Sequence, residues 1–214
     1  MIVQSHNLMS NLIYGYIEEN TNLDLNRLRF KIGNMSPDLP LYHSHMKHYK
    51  NQNYGYILDM IKELTKMDPT ESKDTLKDYS YRLGVVCHYM CDYFCLPHHS
   101  RRYFHDKLGE HLVYEKNLHK IIKKFTREDY RAEYSLDSAI EKHSNSPVNL
   151  IDMIEDFHYD YMDAVPSFET DTSYAITITS ILASVIVKAS LGEIAIADLD
   201  YELVDEKLIE ALAF

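Results

Sequence analysis

Glycine and proline are scarce, six of each in 214 residues, and a many-stranded sheet needs more of both at its turns. A β-sandwich or barrel is therefore excluded. Tryptophan is absent and the three cysteines are an odd number, so a disulfide framework is excluded too. Basic residues are outnumbered 22 to 33, which leaves a net charge of −11 with histidines neutral. Such an excess repels phosphate backbones and anionic membrane surfaces and argues against a general nucleic-acid binder. The longest apolar stretch, 174–189, contains four Thr or Ser and includes Lys188. It falls short of the ~20 apolar residues of a membrane span and reads as a buried helix. The opening residues Met1 to Asn7 have no basic start, apolar run or small-residue cleavage site, so no signal peptide is read there. The expected location is cytoplasmic, with secretion by another route left open.

What remains is helical. Leu8, Leu12, Ile13, Tyr16 and Ile17 recur at three- and four-residue spacings, the mark of an amphipathic helix. A second helix through Leu25, Leu28 and Ile32 stops at Gly33-Asn34, and residues 34–50 read as a long loop. Tyr56 to Leu64 mark a third, and a long helix over 74–96 ends at Pro97. Residues 97–108 form a second irregular segment. Further helices are predicted over 109–125, 136–143, 147–164 and 170–190, with a short one over 205–213. Val, Ile and Thr between 176 and 187 favour a strand locally, but no partner strand is visible. The expectation is a single compact all-α domain over 1–214.

Histidine is abundant. There are twelve, and nine of them lie between residues 43 and 119. His88-Tyr89-Met90-Cys91-Asp92 puts an imidazole and a carboxylate one helical turn apart, on one face. His111 and Glu115 repeat the spacing, with Pro97-His98-His99 between the two pairs. Such groups can share a borderline metal such as zinc, and neighbouring antiparallel helices bring them together inside a bundle. Taken alone, the His88/Asp92 pair reads rather as a hydrogen bond on the helix surface; the two pairs with a histidine between them point to a metal site. Upstream, Asp38 lies on the proline-flanked loop Ser36 to Pro40, followed by His43, His45 and His48. His6 is a further candidate near the start of the first helix. His105, His119, His143 and His158 lack an acid at that spacing. The stripe Cys87, Cys91, Cys95 reads as small buried hydrophobes rather than metal ligands.

Three segments together resemble the zinc-dependent phospholipases C of bacteria. They are Gly84 to Asp92, Leu96-Pro97-His98, and Gly109-Glu110-His111-Leu112-Val113-Tyr114-Glu115; Gly33 to Asp38 is similar to the family's Pro-Asp loop, and His48-Tyr49 resembles a following ligand segment. The resemblance implies the all-α zinc phospholipase C fold. It assigns one zinc to Asp38, His48, His88 and Asp92, and a second to His98, His111 and Glu115. A third position would take His6 and Asp92, but the family completes it with an N-terminal Trp and this chain has none. His43 and His45 compete with His48 as the loop ligand.

The implied activity is hydrolysis of a phospholipid or related phosphodiester by a zinc-activated water, with Asp92 bridging two metals and Asp38 acting as ligand and base. Clustered zinc lowers the pKa of water toward ~7 and neutralises phosphoryl charge. Two rivals stand beside it: a single-strand-specific zinc nuclease, which the acidic charge opposes, and a non-catalytic metal-binding helical protein. Contact with a membrane would be transient and superficial. Oligomeric state and lipid headgroup are not read from the sequence.

Overall fold

A computed structural model describes residues 1–39, 48–99, 108–143 and 147–199. The helix expected over 205–213 lies outside the described residues, as do His43, His45, His105 and the side chain of His99. Among the described residues there are nine α-helices and no strand. They are α1 (Val3–Asn20), α2 (Arg27–Met35), α3 (Lys50–Lys66), α4 (Lys73–Tyr93), α5 (Leu96–His99), α6 (Leu108–Ile122), α7 (Leu136–His143), α8 (Leu150–Asp163) and α9 (Phe168–Ser190). The 3₁₀ turns Ser36–Asp38 and Arg127–Asp129 complete the set. The all-α expectation holds.

Capping residues set several boundaries. Ser72 opens α4 by accepting from the Thr75 N–H, with Asp74 in the first turn where the helix dipole favours a carboxylate. Asn149 does the same for α8, accepting from Ile151 and Asp152 N–H. That helix therefore starts at Leu150 and not at Pro147, because Val148 is taken up in an isolated parallel bridge to Ile196. Likewise α4 ends at Tyr93 instead of running to Leu96. Pro97 then lies in the first turn of the separate helix α5, where its missing N–H costs nothing.

Helix α4 is buried on all sides from Leu83 to Asp92, and α9 from Tyr174 to Val187. The apolar window of α9 is long enough for a membrane span by composition, yet 83% of it is buried inside the protein. Thr172 donates to the Phe168 carbonyl at 2.7 Å and Ser184 to that of Ser180 at 2.9 Å, which satisfies those two hydroxyls within the helix itself.

Helices α2 and α4 cross where Gly33 meets Gly84. A side-chain carbon on Gly84 would fall 2.9 Å from the Asn34 nitrogen and closer still to the Phe30 carbonyl oxygen; one on Gly33 would strike the Tyr81 carbonyl. Two glycines thus let backbone touch backbone. This crossing positions the Asn34–Asp38 segment against the middle of α4.

Candidate metal centre

Six segments converge on one buried cluster. From α1 comes His6, from the turn after α2 Asp38, and from the residues ahead of α3 His48. Helix α4 gives His88 and Asp92, α5 gives His98, and α6 gives His111 and Glu115. All eight residues singled out in the sequence meet here. Their donor atoms form three groups, each within 4.8 Å: His6, His88 and Asp92; Asp38, His48 and His88; His98, His111 and Glu115. His6, His88 and Asp92 are fully buried and form the floor. Asp38, His48 and His111 are 15–19% exposed and form the open side.

The tautomer of His88 follows from its surroundings. Its Nδ1 lies 2.9 Å from the Asn34 carbonyl oxygen. A carbonyl only accepts, so Nδ1 carries the proton and Nε2 turns its lone pair toward the cluster. Burial, with His6 stacked on it at 3.8 Å between ring centroids, drives the His88 pKa well below the usual imidazole range. A neutral ring presenting a lone pair, oriented through its far nitrogen, is what a zinc ligand requires.

Protons alone do not satisfy this arrangement. His48 Nδ1 faces Asp92 Oδ2 at 2.7 Å and His88 Nε2 at 3.1 Å, with Asp38 Oδ1 at 3.8 Å. One N–H serves two or three acceptors there. Asp38 Oδ2 and both ring nitrogens of His6 are buried without a hydrogen-bond partner, an expensive condition for polar atoms. A divalent cation meets all of these demands at once. The residues present therefore fit zinc, whose ligands are imidazole nitrogen and carboxylate oxygen.

On the other side of Asp92 a cation is already in place. The Met1 ammonium lies 2.6 Å from Asp92 Oδ1, 2.8 Å from His98 Nε2 and 3.3 Å from Glu115 Oε1. Burial pulls its pKa down, but Asp92 and Glu115 outweigh that and raise it to about 12. Glu115 Oε1 also lies 3.0 Å from His98 Nε2 and 2.8 Å from His111 Nε2. Burial would raise the Glu115 pKa; the hydrogen bonds from His111 and His98 reverse this and hold it well below the carboxylate range. Burial likewise pushes Asp92 up, and His98, the Met1 ammonium, His6 and His88 together hold it well below that range. His98 itself is lowered to about 4, chiefly by burial.

Two members behave differently. Burial raises Asp38, against the pull of His6 and the Met1 ammonium. His48 is raised because its hydrogen bond to Asp92 and the charge of that carboxylate outweigh burial. The resemblance pointed to the first residue as a member of the third position, and the structure puts the Met1 amine beside Asp92; the Asn34 carbonyl, the second backbone neighbour of the cluster, was missed. Backbone atoms leave no residue-type signal, and the helix stop expected at Gly33-Asn34 is not found, because α2 runs on to Met35. Among the other histidines, His119 Nδ1 pairs with Ser5 Oγ at 3.0 Å, and His143 bridges the Ala139 carbonyl and Asp156. Neither belongs to the cluster. The three cysteines are buried and free.

A family model described as zinc-dependent phospholipase C matches residues 5–168, well over half of the chain. No curated protein and no solved structure matches the chain significantly.

Proposed function

The chain belongs to the zinc-dependent phospholipase C family, and from that premise we propose that it is a zinc-dependent hydrolase of phospholipids or related phosphodiesters. The convergence of eight imidazoles and carboxylates from six segments on one cluster carries this reading. Asp38, His48, His88 and Asp92 would hold one zinc; His98, His111 and Glu115 would hold a second. His6 and Asp92, with the Met1 amine beside them, frame the third position. Zinc held there supplies Lewis acidity, lowering the pKa of a water toward ~7 and offsetting charge on phosphoryl oxygens.

The protein's own residues do the rest. Asp92, central to all the positions, is kept ionised by the surrounding imidazoles and the Met1 ammonium. Asn34 fixes His88 through its carbonyl, so that ring cannot turn away. Asp38 is the base: its carboxyl is raised by burial, one oxygen is unpartnered, and it lies on the open side where a water and a phosphodiester enter. The buried floor of His6, His88 and Asp92 excludes bulk water from beneath the reacting groups. A small phosphodiester is favoured over a polynucleotide, since positive charge would be confined to the cluster and the chain as a whole carries −11.

The test is metal content by mass spectrometry on protein purified without added metal, for the wild type and Asp92→Asn. Two or three zinc per chain, falling in the variant, supports the reading and opens a screen of phosphodiester substrates. A wild type that neither contains zinc nor takes it up on titration refutes it.

A further inference from the structure

One buried carboxylate outside the cluster holds its pieces together. Asp171, in the first turn of α9, is 1% exposed and lies beyond the residues matched by the family model. Its Oδ2 accepts from the Leu96 N–H and from the Tyr114 hydroxyl, each at 2.9 Å. Its Oδ1 accepts from the Tyr161 hydroxyl of α8, also at 2.9 Å, and the Cys95 thiol bonds to the same carboxylate. Leu96 opens the short helix that carries His98. Tyr114 is the neighbour of Glu115 and lies on the helix that also carries His111. A single oxygen atom is therefore shared by the two segments that supply the His98–His111–Glu115 group.

We propose that Asp171 is a positioning residue for that group: its Oδ2 sets the spacing between the His98 segment and the Glu115 helix, and so the affinity of the zinc position they form. The proposal rests on the zinc reading above. Groups that orient metal ligands typically alter affinity by tenfold or more when removed. Because Asp38, His48 and His88 are held by α2, α3 and α4 instead, the effect is confined to one of the zinc equivalents.

The experiment is competition for zinc against a chelator of known affinity, in wild type, Asp171→Ala, Asp171→Asn and Tyr114→Phe, with the unfolding temperature measured alongside. In Asp171→Ala one zinc equivalent weakens by about tenfold or more while the others keep wild-type affinity. Asn retains an oxygen acceptor and restores part of the loss. Tyr114→Phe weakens the same equivalent to a smaller degree, and it decides the matter if the alanine variant does not fold. Wild-type affinity at every equivalent in both the alanine and phenylalanine variants overturns the proposal, as does equal weakening of all equivalents, which marks a purely structural anchor. A wild type that binds no zinc is a separate result, and fails the zinc reading itself.

Discussion

Placing a methyl group at Gly84 tests whether the crossing of α2 and α4 positions the metal cluster. The added carbon would lie 2.9 Å from the Asn34 nitrogen and 3.1 Å from the Gly33 Cα, with the Phe30 carbonyl nearer still. Ordinary van der Waals contact begins near 3.4 Å, and every atom in the way is backbone, so no rotamer change relieves the clash. The helices must separate by several tenths of an ångström or more. Overpacking of this kind costs typically 1–3 kcal/mol, and the absence of a yielding side chain puts Gly84→Ala at the upper end, about 3 kcal/mol. For a domain of this size that lowers the unfolding temperature by roughly 6–12 °C. The same separation stretches the 2.9 Å bond from His88 Nδ1 to the Asn34 carbonyl, so zinc affinity falls with stability. Gly109→Ala is the internal control: nothing lies within 4 Å of its added carbon, and alanine is the better helix former by up to ~1 kcal/mol. Differential scanning calorimetry and a chelator competition read both effects. A Gly84→Ala protein with wild-type stability and zinc affinity refutes the reasoning.

Asp171 makes stability pH-dependent in an unusual direction. Burial raises its folded-state pKa to about 6, against the hydrogen bonds from Leu96, Tyr161, Tyr114 and Cys95, from an ordinary value of 3.8. A raised folded pKa means its contribution is fully present below about 4 and is lost as pH rises through 6. In chelator-treated protein, lowering the pH from 7.5 to 5 therefore stabilises wild type relative to Asp171→Asn by roughly 1.4 kcal/mol; urea titrations that show the opposite sign refute this. The buried Lys50 ammonium is paired with Glu155 at 2.7 Å and lies over the Tyr54 ring. Glu155→Gln, which strands that cation, destabilises by about 1–3 kcal/mol. Lys50→Met, which leaves Glu155 a route to water, costs less in the same thermal assay.

The i, i+4 pairs His88/Asp92 and His111/Glu115 were legible in the sequence because a helix alone sets their geometry. The helices themselves were legible from apolar spacing, and α9 from the want of any partner strand. The position of Asp38 was suggested by its prolines, but its approach to His88 depends on the Gly33–Gly84 crossing, a tertiary event. Helix ends were missed where competing local bonds decide them: the Asn149 side chain displaced Pro147 as the start of α8, and α4 broke before Pro97. Asp171 was invisible because its partners, Leu96, Tyr114 and Tyr161, are up to 75 residues away. Nothing about an acid in the first turn of a helix distinguishes one that caps from one that ties three elements together.

The distribution of the cluster along the chain also dictates an order of events in time. Two of its ligand pairs exist as soon as α4 and α6 wind, because each lies within one helical turn. His98 follows Asp92 by six residues, but His6, Asp38 and His48 arrive only by closing longer stretches of chain, and His6 and Glu115 are separated by more than a hundred residues. Such closures are slow and come late. A nascent chain therefore has two weak bidentate grips on a metal ion before it has any enclosure, and binding tightens only as the bundle shuts around it. On the zinc reading proposed above, metal captured early would be carried into the interior as folding proceeds, so that zinc present during synthesis would act as a template and zinc supplied afterwards would have to enter through the open side at Asp38, His48 and His111.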